Sequence, residues 1–216
     1  MGMTTCCTTD AANRFFTRSA RRYAKTFRKK GPDKASAILI DEVCRLGVHS
    51  RSILDVGCGI GGAHLTLLSR GASVAQGVDV SEGMVKEARA LAQEMGLDGR
   101  VRYLCGDVTM LDGMIEEADI TVMDKVLCCY PDPVVLIEKT ATKTRSILAL
   151  SYPRDAMMVR AGFGFVRGLG LLLGWKFRPF YHDPGGIDEA AAGTGFREEF
   201  ARTTLVWQVK VFVRQQ

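Results

Sequence analysis

The feature that most constrains the fold is a short apolar segment that leads directly into a glycine-rich loop. Residues 52–56 read Ser-Ile-Leu-Asp-Val, and residues 57–62 contain four glycines. Such a run is typical of a buried strand, and glycines at its end let the backbone pass close to a ligand before a helix begins. Exposed N–H groups at a helix N-terminus favour polar or anionic partners. The segment therefore predicts a strand–loop–helix unit with a ligand site at the loop.

The same alternation of strand and helix recurs along most of the chain. Ser81 is placed to cap a helix, and Met84, Ala88 and Leu91 follow it at helical spacing. Short, nearly all-apolar strands separated by helices favour a doubly wound α/β fold, with a mostly parallel sheet and helices on both faces. The predicted strands are 52–56, 74–79, 101–104, 120–123 and 146–152.

The C-terminal segment follows a different pattern. Apolar and polar residues alternate from Trp207 to Val213, which is the period of a strand with one buried face. Residues 196–204 are also strand-like, so we predict that the chain closes with an antiparallel hairpin. These two strands bring the predicted sheet to seven.

Length and composition favour one globular domain with two attachments. The 216 residues are 47% hydrophobic and 25% charged, which excludes a disordered chain and a polytopic membrane protein. We predict a basic N-terminal arm at residues 1–33 and a main domain at residues 34–216. A lid is predicted to interrupt the main domain at about residues 154–190.

Positive charge is concentrated in the arm. Residues 13–30 contain eight Lys or Arg and no acid, so with a net charge of +5 the rest of the chain stands at −3. Phe16, Ala20, Tyr23 and Phe27 recur at spacings of 4, 3 and 4, which predicts an amphipathic helix. Three interpretations stay open: a lid over a ligand crevice, a helix packed on the sheet edge, or a docking element for phosphates. Because the sequence offers no aromatic-rich platform for single strands, nucleic acid is not the partner that we expect.

Cysteine usage indicates a reducing compartment. The seven cysteines include no Cys-x-x-Cys pair, and no His is spaced for zinc, so we expect free thiols and no metal site. The adjacent pairs Cys6-Cys7 and Cys128-Cys129 leave open a site for a thiophilic metalloid. Residues 1–10 lack the apolar core of a secretory signal, and we expect a cytoplasmic protein.

Four aspartates stand at the carboxyl ends of four successive predicted strands. They are Asp55, Asp79, Asp107 and Asp124. The carboxyl ends of parallel strands meet at one edge of the sheet, so we expect the four side chains to line one crevice. Asp55 would repel a pyrophosphate but suits a ligand that carries ammonium and sulfonium charge. Asp79 is placed to bind two ribose hydroxyls, and we expect its partners to be ligand hydroxyls rather than protein groups.

Together these motifs resemble those of class I S-adenosylmethionine-dependent methyltransferases. The matching segments are Asp55–Gly59, Gly77–Ser81, Gly106–Val108 and Asp124–Leu127. The resemblance implies a Rossmann-like methyltransferase fold for the main domain. It also implies S-adenosylmethionine as the cofactor and S-adenosylhomocysteine as the product.

The resemblance further implies eleven cofactor-binding residues, spread over the arm and four strand ends. The glycine loop would pass the methionine moiety, the acid after the second strand would hold the ribose, and the acid after the third would frame the adenine. The acid after the fourth strand would lie near the methyl group, and the aromatic residue of the arm would close over the cofactor as part of a lid. In chain order these residues are Tyr23, Asp55, Gly57, Cys58, Gly59, Asp79, Val80, Asp107, Val108, Asp124 and Lys125.

A narrower likeness concerns the methyl acceptor. Met123–Asp132, followed by Leu148–Pro153, is similar to small magnesium-protoporphyrin O-methyltransferase-like proteins. We therefore predict methyl transfer to an oxygen or nitrogen of a small apolar or aromatic acceptor, porphyrin-like acceptors included. A phenol would need a base, for which His182 and Tyr130 are the candidates, whereas a carboxylate is ionised at neutral pH and needs none. An RNA-directed methyltransferase that uses the basic arm, and a nucleotide-binding module without methyl transfer, are the alternatives.

The apolar segment at residues 161–177 has several interpretations, whereas His64 has a purely structural one. Apolar residues keep helical spacing from Ala161 to Phe177, with cations between them. This segment is expected to wall an apolar pocket, to touch a membrane surface, or to pack as a lid on its own sheet. His64 follows the glycine loop, and we expect it to be a surface or cap residue.

Overall fold

The computed structural model describes residues 3–215, apart from the side chains of residues 3–9 and 112. The helices are α1 (Met3–Lys30), α2 (Lys34–Arg45), α3 (Gly62–Ser69), α4 (Glu82–Glu94), α5 (Pro133–Ala141), α6 (Met157–Leu172) and α7 (Pro184–Gly193). The strands are β1 (Ile53–Val56), β2 (Ala75–Asp79), β3 (Val101–Cys105), β4 (Ala118–Asp124), β5 (Thr144–Pro153), β6 (Phe196–Thr203) and β7 (Trp207–Arg214).

All the strands form one sheet in the order β3-β2-β1-β4-β5-β7-β6. Neighbours are parallel from β3 to β5, whereas β7 runs antiparallel to both β5 and β6. The predicted seven-stranded α/β fold with a closing antiparallel hairpin is confirmed. The chain moves outward from β1 to β3 and then returns to place β4 on the other side of β1. This reversal opens a crevice at the carboxyl ends of β1 and β4, where ligands bind in doubly wound folds.

Helices cover both faces of the sheet. On β1, Ile53 and Leu54 are 1% and 0% exposed and point to opposite faces, as successive strand residues do. Ile53 packs in a cluster with α2, α3 and α4, and Leu54 packs in a second cluster with α5 and α7. Burial of each such side chain stabilises the fold by about 1.5–3 kcal/mol. The two clusters therefore fix β1, and the loop that follows it, between two helical layers.

The basic arm is one long helix that packs along α4. Ala20 and Ala24 of α1 are buried, and Thr17 Oγ1 lies 2.9 Å from the hydroxyl of Ser81. Further along, the guanidinium of Arg28 donates two hydrogen bonds to Glu94, at 2.7 and 2.8 Å. The predicted amphipathic helix is present and extends back to Met3, and the eight cations between residues 13 and 30 are all exposed.

Helix α6 contacts the rest of the protein along a narrow strip. Its buried residues are Val159 and Gly170, whereas Met158, Phe165 and Leu172 are 82%, 71% and 86% exposed. The interpretation of this segment as a lid packed on its own sheet is therefore wrong for most of the helix surface. Among the described residues, no helix is long and apolar enough to cross a membrane.

Candidate functional site

A cavity of about 500 Å³ lies at the carboxyl ends of the central strands, with α1 along one side. It occupies the crevice created by the reversal of strand order, and its walls include the glycine-rich loop and the loops after β2, β3 and β4. All eleven residues that the sequence implied for cofactor binding line this cavity, and so does Tyr130. His182, the other candidate base, is not among its lining residues.

The glycine-rich loop needs glycine at its first position for two reasons. Gly57 has φ +66°, and a Cβ there would lie 2.3 Å from Cγ2 of Val126. The backbone conformation disfavours an L side chain and the space is already filled, so any other residue would displace the loop after β4. Gly59 has φ +54°, but nothing lies within 4 Å of a Cβ built on it. The loop is thus tightly packed at one glycine and open at the next.

Asp79 joins the loops on either side of the cavity. Its Oδ2 accepts the N–H of Gly59 and its Oδ1 accepts the N–H of Ser81, both at 2.8 Å. The expectation that its partners would be ligand groups and not protein groups is therefore wrong. Burial raises the pKa of Asp79 to about 6, against the effect of the two N–H bonds. Each carboxylate oxygen keeps a second lone pair for a ligand hydroxyl.

Behind the glycine loop lies a buried polar chain that includes His64. Its Nδ1 is 2.7 Å from Asp55 Oδ2, and its Nε2 is 2.9 Å from the hydroxyl of Tyr103. That hydroxyl donates to the carbonyl of Ala88 at 3.2 Å, and burial raises the pKa of Tyr103 far above its ordinary value. His64 is fully buried, so its interpretation as a surface or cap residue is wrong. This series of hydrogen bonds fixes the carboxylate of Asp55 at the edge of the cavity.

Asp107, which follows β3, is held by hydrogen bonds from Thr109 and Tyr130. The N–H of Thr109 donates to Asp107 Oδ1 at 2.9 Å, and the hydroxyl of Tyr130 donates to the same oxygen at 3.2 Å. Burial raises the pKa of Tyr130 to about 12, with Asp107 contributing. At neutral pH this phenol is a hydrogen-bond donor that braces Asp107.

His182 faces the backbone of the loop after β4. Its Nε2 lies 2.9 Å from the carbonyl oxygen of Tyr130, and its ring stacks on Phe180 with centroids 5.8 Å apart. Burial lowers the pKa of His182 below its ordinary value. The structure therefore places this imidazole behind the cavity wall, where it positions the Tyr130 loop.

A polar cluster at the end of β4 brings in residues that the sequence reasoning missed. The hydroxyls of Ser36 and Ser151 each donate to Asp124, at 2.5 Å. The ammonium of Lys125 donates to Asp33 at 2.5 Å and to the Ser36 hydroxyl at 2.6 Å. Burial acts to raise the pKa of Asp33, but the Lys125 ammonium outweighs it and holds that pKa below its ordinary value. Asp33 and Ser36 come from the start of α2, far from β4 in sequence.

Lys125 itself has an unusual backbone conformation. Its φ is +61°, a backbone conformation that residues other than glycine rarely adopt. Holding a residue in this conformation costs about 1–3 kcal/mol. The strain is held by two bonds from the Lys125 N–H, to the carbonyl and the hydroxyl of Ser151, at 3.1 and 2.9 Å. Its ammonium also lies 5.7 Å from the ring centroid of Trp207, which lines the cavity. Such strain concentrates at binding and catalytic sites.

The adjacent cysteines of the loop after β4 also line the cavity. The Sγ atoms of Cys128 and Cys129 are 3.9 Å apart, and the hydrogen bond between them lowers the pKa of Cys128. Among the residues whose side chains are described, no three His, Cys, Asp or Glu are grouped to hold a metal ion. The side chains of Cys6 and Cys7 lie outside the described residues.

A second cavity, of about 430 Å³, lies between α7 and the strands β5, β6 and β7. The ammonium of Lys210 is paired there with Asp188 and Glu198, at 2.7 and 2.6 Å. It contains none of the predicted site residues. The residues predicted to bind the cofactor therefore belong to the first cavity.

Comparison with known proteins finds methyltransferases, as the motifs of the sequence imply. Residues 53–147 match the family described as a methyltransferase domain. The ubiquinone biosynthesis O-methyltransferase of Coxiella burnetii (strain Dugway 5J108-111) is 30% identical over 97 residues, which are 45% of this chain and 40% of that relative. The ajmaline N-methyltransferase of Rauvolfia serpentina is 40% identical over 57 residues, which are 26% of this chain and 20% of that relative. Each match thus covers less than half of the relative's own length.

A similar solved structure covers nearly the whole fold. The magnesium protoporphyrin IX methyltransferase of Synechocystis PCC 6803, with bound S-adenosylhomocysteine, has a TM-score of 0.74 and 20% identity, over 96% of this chain and 100% of that chain. At this identity the likeness concerns the fold. Residues 53–147 thus match a methyltransferase domain, and they do so within a fold that this chain shares with a methyltransferase of known structure.

Proposed function

We propose that this protein transfers the methyl group of S-adenosylmethionine to an oxygen or nitrogen of a small apolar or aromatic acceptor. The observation that carries the proposal is the continuity of one cavity. It joins the glycine-rich loop and the acids after β2 and β3 to the polar cluster around Asp124 and Lys125. A donor and an acceptor held together in the right orientation react as if at very high concentration.

The charges of the cavity support this cofactor over a dinucleotide. Five carboxylates are among its described lining residues, and the one Lys or Arg among them, Lys125, is bound to Asp33. A pyrophosphate would meet this lining without a free cation, whereas sulfonium and ammonium groups are attracted to it. In this proposal Asp79 would bind the ribose hydroxyls, and Asp55 would face the ammonium end. This argues against the alternative of a nucleotide-binding module.

The acid–base groups of the cavity support an acceptor that needs no strong base. The phenol of Tyr130, with a pKa of about 12, keeps its proton and donates a hydrogen bond to Asp107. His182 lies outside the described lining of the cavity, and no other histidine is part of that lining. A carboxylate acceptor is already ionised at neutral pH, so it requires no base from these residues, whereas a phenol does. A porphyrin that carries carboxylates is aromatic, and its carboxylates are already ionised.

The reaction would then depend on position more than on proton transfer. The bound cofactor supplies a methyl group that is already activated on a sulfonium. Gly57 and Asp79 would hold the cofactor, while Asp124, fixed by Ser36 and Ser151, would set the border with the acceptor. Collinear approach of donor and acceptor at about 3 Å is the geometry that accelerates such a displacement.

Transfer of labelled methyl groups tests the proposal. The protein is incubated with methyl-labelled S-adenosylmethionine and, separately, a porphyrin carboxylate, an aryl carboxylic acid, a phenol and an aryl amine. We expect label on a carboxylate acceptor, released as methanol by mild base because the product is an ester. Label that is stable to base and confined to the amine would contradict the carboxylate acceptor. Absence of label on every acceptor, with the cofactor bound, would contradict methyl transfer.

A further inference from the structure

Two basic segments without acidic residues adjoin on the surface of the protein. Residues 11–32 carry eight Lys or Arg, residues 156–182 carry four, and neither segment contains Asp or Glu. They meet through an aromatic cluster, in which the ring of Phe177 lies 5.0 Å from that of Phe15 and 5.2 Å from that of Phe16. Since Phe177 follows α6 and its two partners belong to α1, the segment after α6 packs against α1 and brings the two basic segments next to each other.

Helix α6 adds an exposed apolar stripe to this region. Met158, Phe165 and Leu172 follow one another at intervals of seven residues, or about two helical turns, and are 82%, 71% and 86% exposed. Met157 and Leu171 form the neighbouring row and are 85% and 61% exposed. Five large apolar side chains on one face of a helix form a patch that marks an interaction surface.

Cations and an aromatic residue border the stripe. Arg160 and Arg167 are both exposed and lie beside the row of Met157 and Leu171, since Arg160 follows Met157 by three residues and Arg167 precedes Leu171 by four. Trp175, which follows the helix, is 44% exposed, and Lys176 beside it is exposed. An apolar face with a basic border is the pattern of a helix that lies in the plane of an anionic membrane, and Trp is enriched at that interface.

We infer that α6 and the basic face of α1 dock this protein on anionic lipid bilayers, with the α6 stripe among the acyl chains. An RNA would neutralise the cations but leave the stripe in water. A zwitterionic membrane would take the stripe and leave the cations unmatched. An anionic bilayer satisfies both at once, because acyl chains lie directly beneath negative headgroups. The inference does not depend on the proposed reaction.

Flotation with lipid vesicles tests the apolar contribution. The full chain is mixed with vesicles of phosphatidylcholine alone or with about one-third phosphatidylglycerol, and bound protein is measured. We expect at least about tenfold stronger binding to the anionic vesicles. The double variant Phe165→Glu/Leu172→Glu should lose at least about tenfold of that binding. The matched control Leu205→Glu/Val74→Glu alters residues that are 83% and 51% exposed outside both helices, and should bind like the unaltered protein.

Charge reversal tests the contribution of α1. Arg18→Glu/Arg21→Glu changes two exposed cations of the helix, and should weaken binding to anionic vesicles by at least about tenfold. Lys86→Glu/Arg202→Glu makes the same change at exposed positions elsewhere, and should weaken it by less than about threefold. Circular dichroism melting of every variant establishes that the fold is intact.

Three results would overturn the inference. One is failure of the unaltered protein to bind anionic vesicles. Another is equal binding by the α6 variant and its control, which would leave the stripe without a role. The third is tighter binding of a single-stranded RNA than of anionic vesicles, lost only in the α1 variant, which would assign the basic face to nucleic acid.

Discussion

Asp79 bridges two loops of the protein and faces the cavity at the same time. Because it already accepts N–H groups from Gly59 and Ser81, ligand hydroxyls must add to these bonds through the remaining lone pairs. Burial raises its pKa to about 6, so the folded chain holds this proton more tightly than the unfolded chain does. Without ligand, the stability linked to this group is present below its ordinary pKa and is lost as the pH rises through about 6.

Affinity for S-adenosylhomocysteine should therefore fall as the pH drops below about 6, because ligand hydroxyls donate to the ionised carboxylate. We expect a loss that approaches tenfold for each pH unit, measured by titration calorimetry between about pH 8 and pH 5. Asp79→Asn should bind weakly and show a flatter pH profile. Constant affinity of the unaltered protein over this range would contradict the role assigned to Asp79.

His64 holds the buried carboxylate of Asp55, so its removal should destabilise the fold. We expect His64→Ala to lower the free energy of unfolding by about 3 kcal/mol, because a buried charged group loses its partner. The matched control His49→Ala changes an exposed histidine and should cost less than about 0.5 kcal/mol. Urea unfolding measures both, and equal losses in the two variants would contradict the role of the buried chain.

At the scale of residues, the sequence predicts those site residues that belong to a local motif. The eleven residues predicted to bind the cofactor line one cavity because most of them directly follow a strand, and parallel strands end at the same edge. Ser36 and Ser151 were missed because tertiary packing alone brings them to Asp124, from 88 residues before it and 27 residues after it. For the same reason the sequence could name His182 as a base but not place its ring behind the cavity wall.

Among the elements, α1 and α4 make the contact that holds the arm over the cavity. They approach closely at Gly83, where a Cβ would lie 2.7 Å from the Cα of Thr17. The N–H of Gly83 also donates to Thr17 Oγ1 at 3.2 Å. Since the obstacle is backbone, a side chain there can be accommodated only by movement of α1.

Gly83→Ala should therefore destabilise the protein by about 1–3 kcal/mol, even though alanine favours helices. Affinity for S-adenosylhomocysteine should fall as well, because Tyr23 and Phe27 of α1 line the cavity. Gly162→Ala in α6 is the matched control, since nothing lies within 4 Å of a Cβ built there, and it should stabilise by up to about 1 kcal/mol. Urea unfolding and calorimetry compare the two, and a stabilised Gly83→Ala would show that α1 does not need this close approach.

Strands and helices with strong periodicity were predicted to within a few residues, as for residues 74–79 and the observed Ala75–Asp79. The N-terminal part of α1 was not predicted, because residues 3–12 carry no clear apolar period. In the structure these residues are nevertheless helical, and α1 begins at Met3. Helix α6 was predicted as a helix, but apolar composition favours burial, and only the structure shows that most of its stripe is exposed.

On the scale of the whole molecule, the acids of the cavity and the cations of α1 lie in different places. Five carboxylates gather in the cavity, whereas the cations of α1 lie on the outer surface of the same helix that lines it. The fold thus separates a site suited to a cationic cofactor from a surface suited to anionic partners. This separation explains how a chain of net charge +5 can hold an acidic site.

Thermal unfolding with and without ligand tests cofactor binding at this site most directly. At about 100 times its dissociation constant, S-adenosylhomocysteine should add about 2.7 kcal/mol to the free energy of unfolding and raise the midpoint, whereas NAD should leave it unchanged. Gly57→Val, which fills the space against Val126, should abolish the response to S-adenosylhomocysteine. A midpoint raised by NAD and not by S-adenosylhomocysteine would contradict the assignment of this cavity.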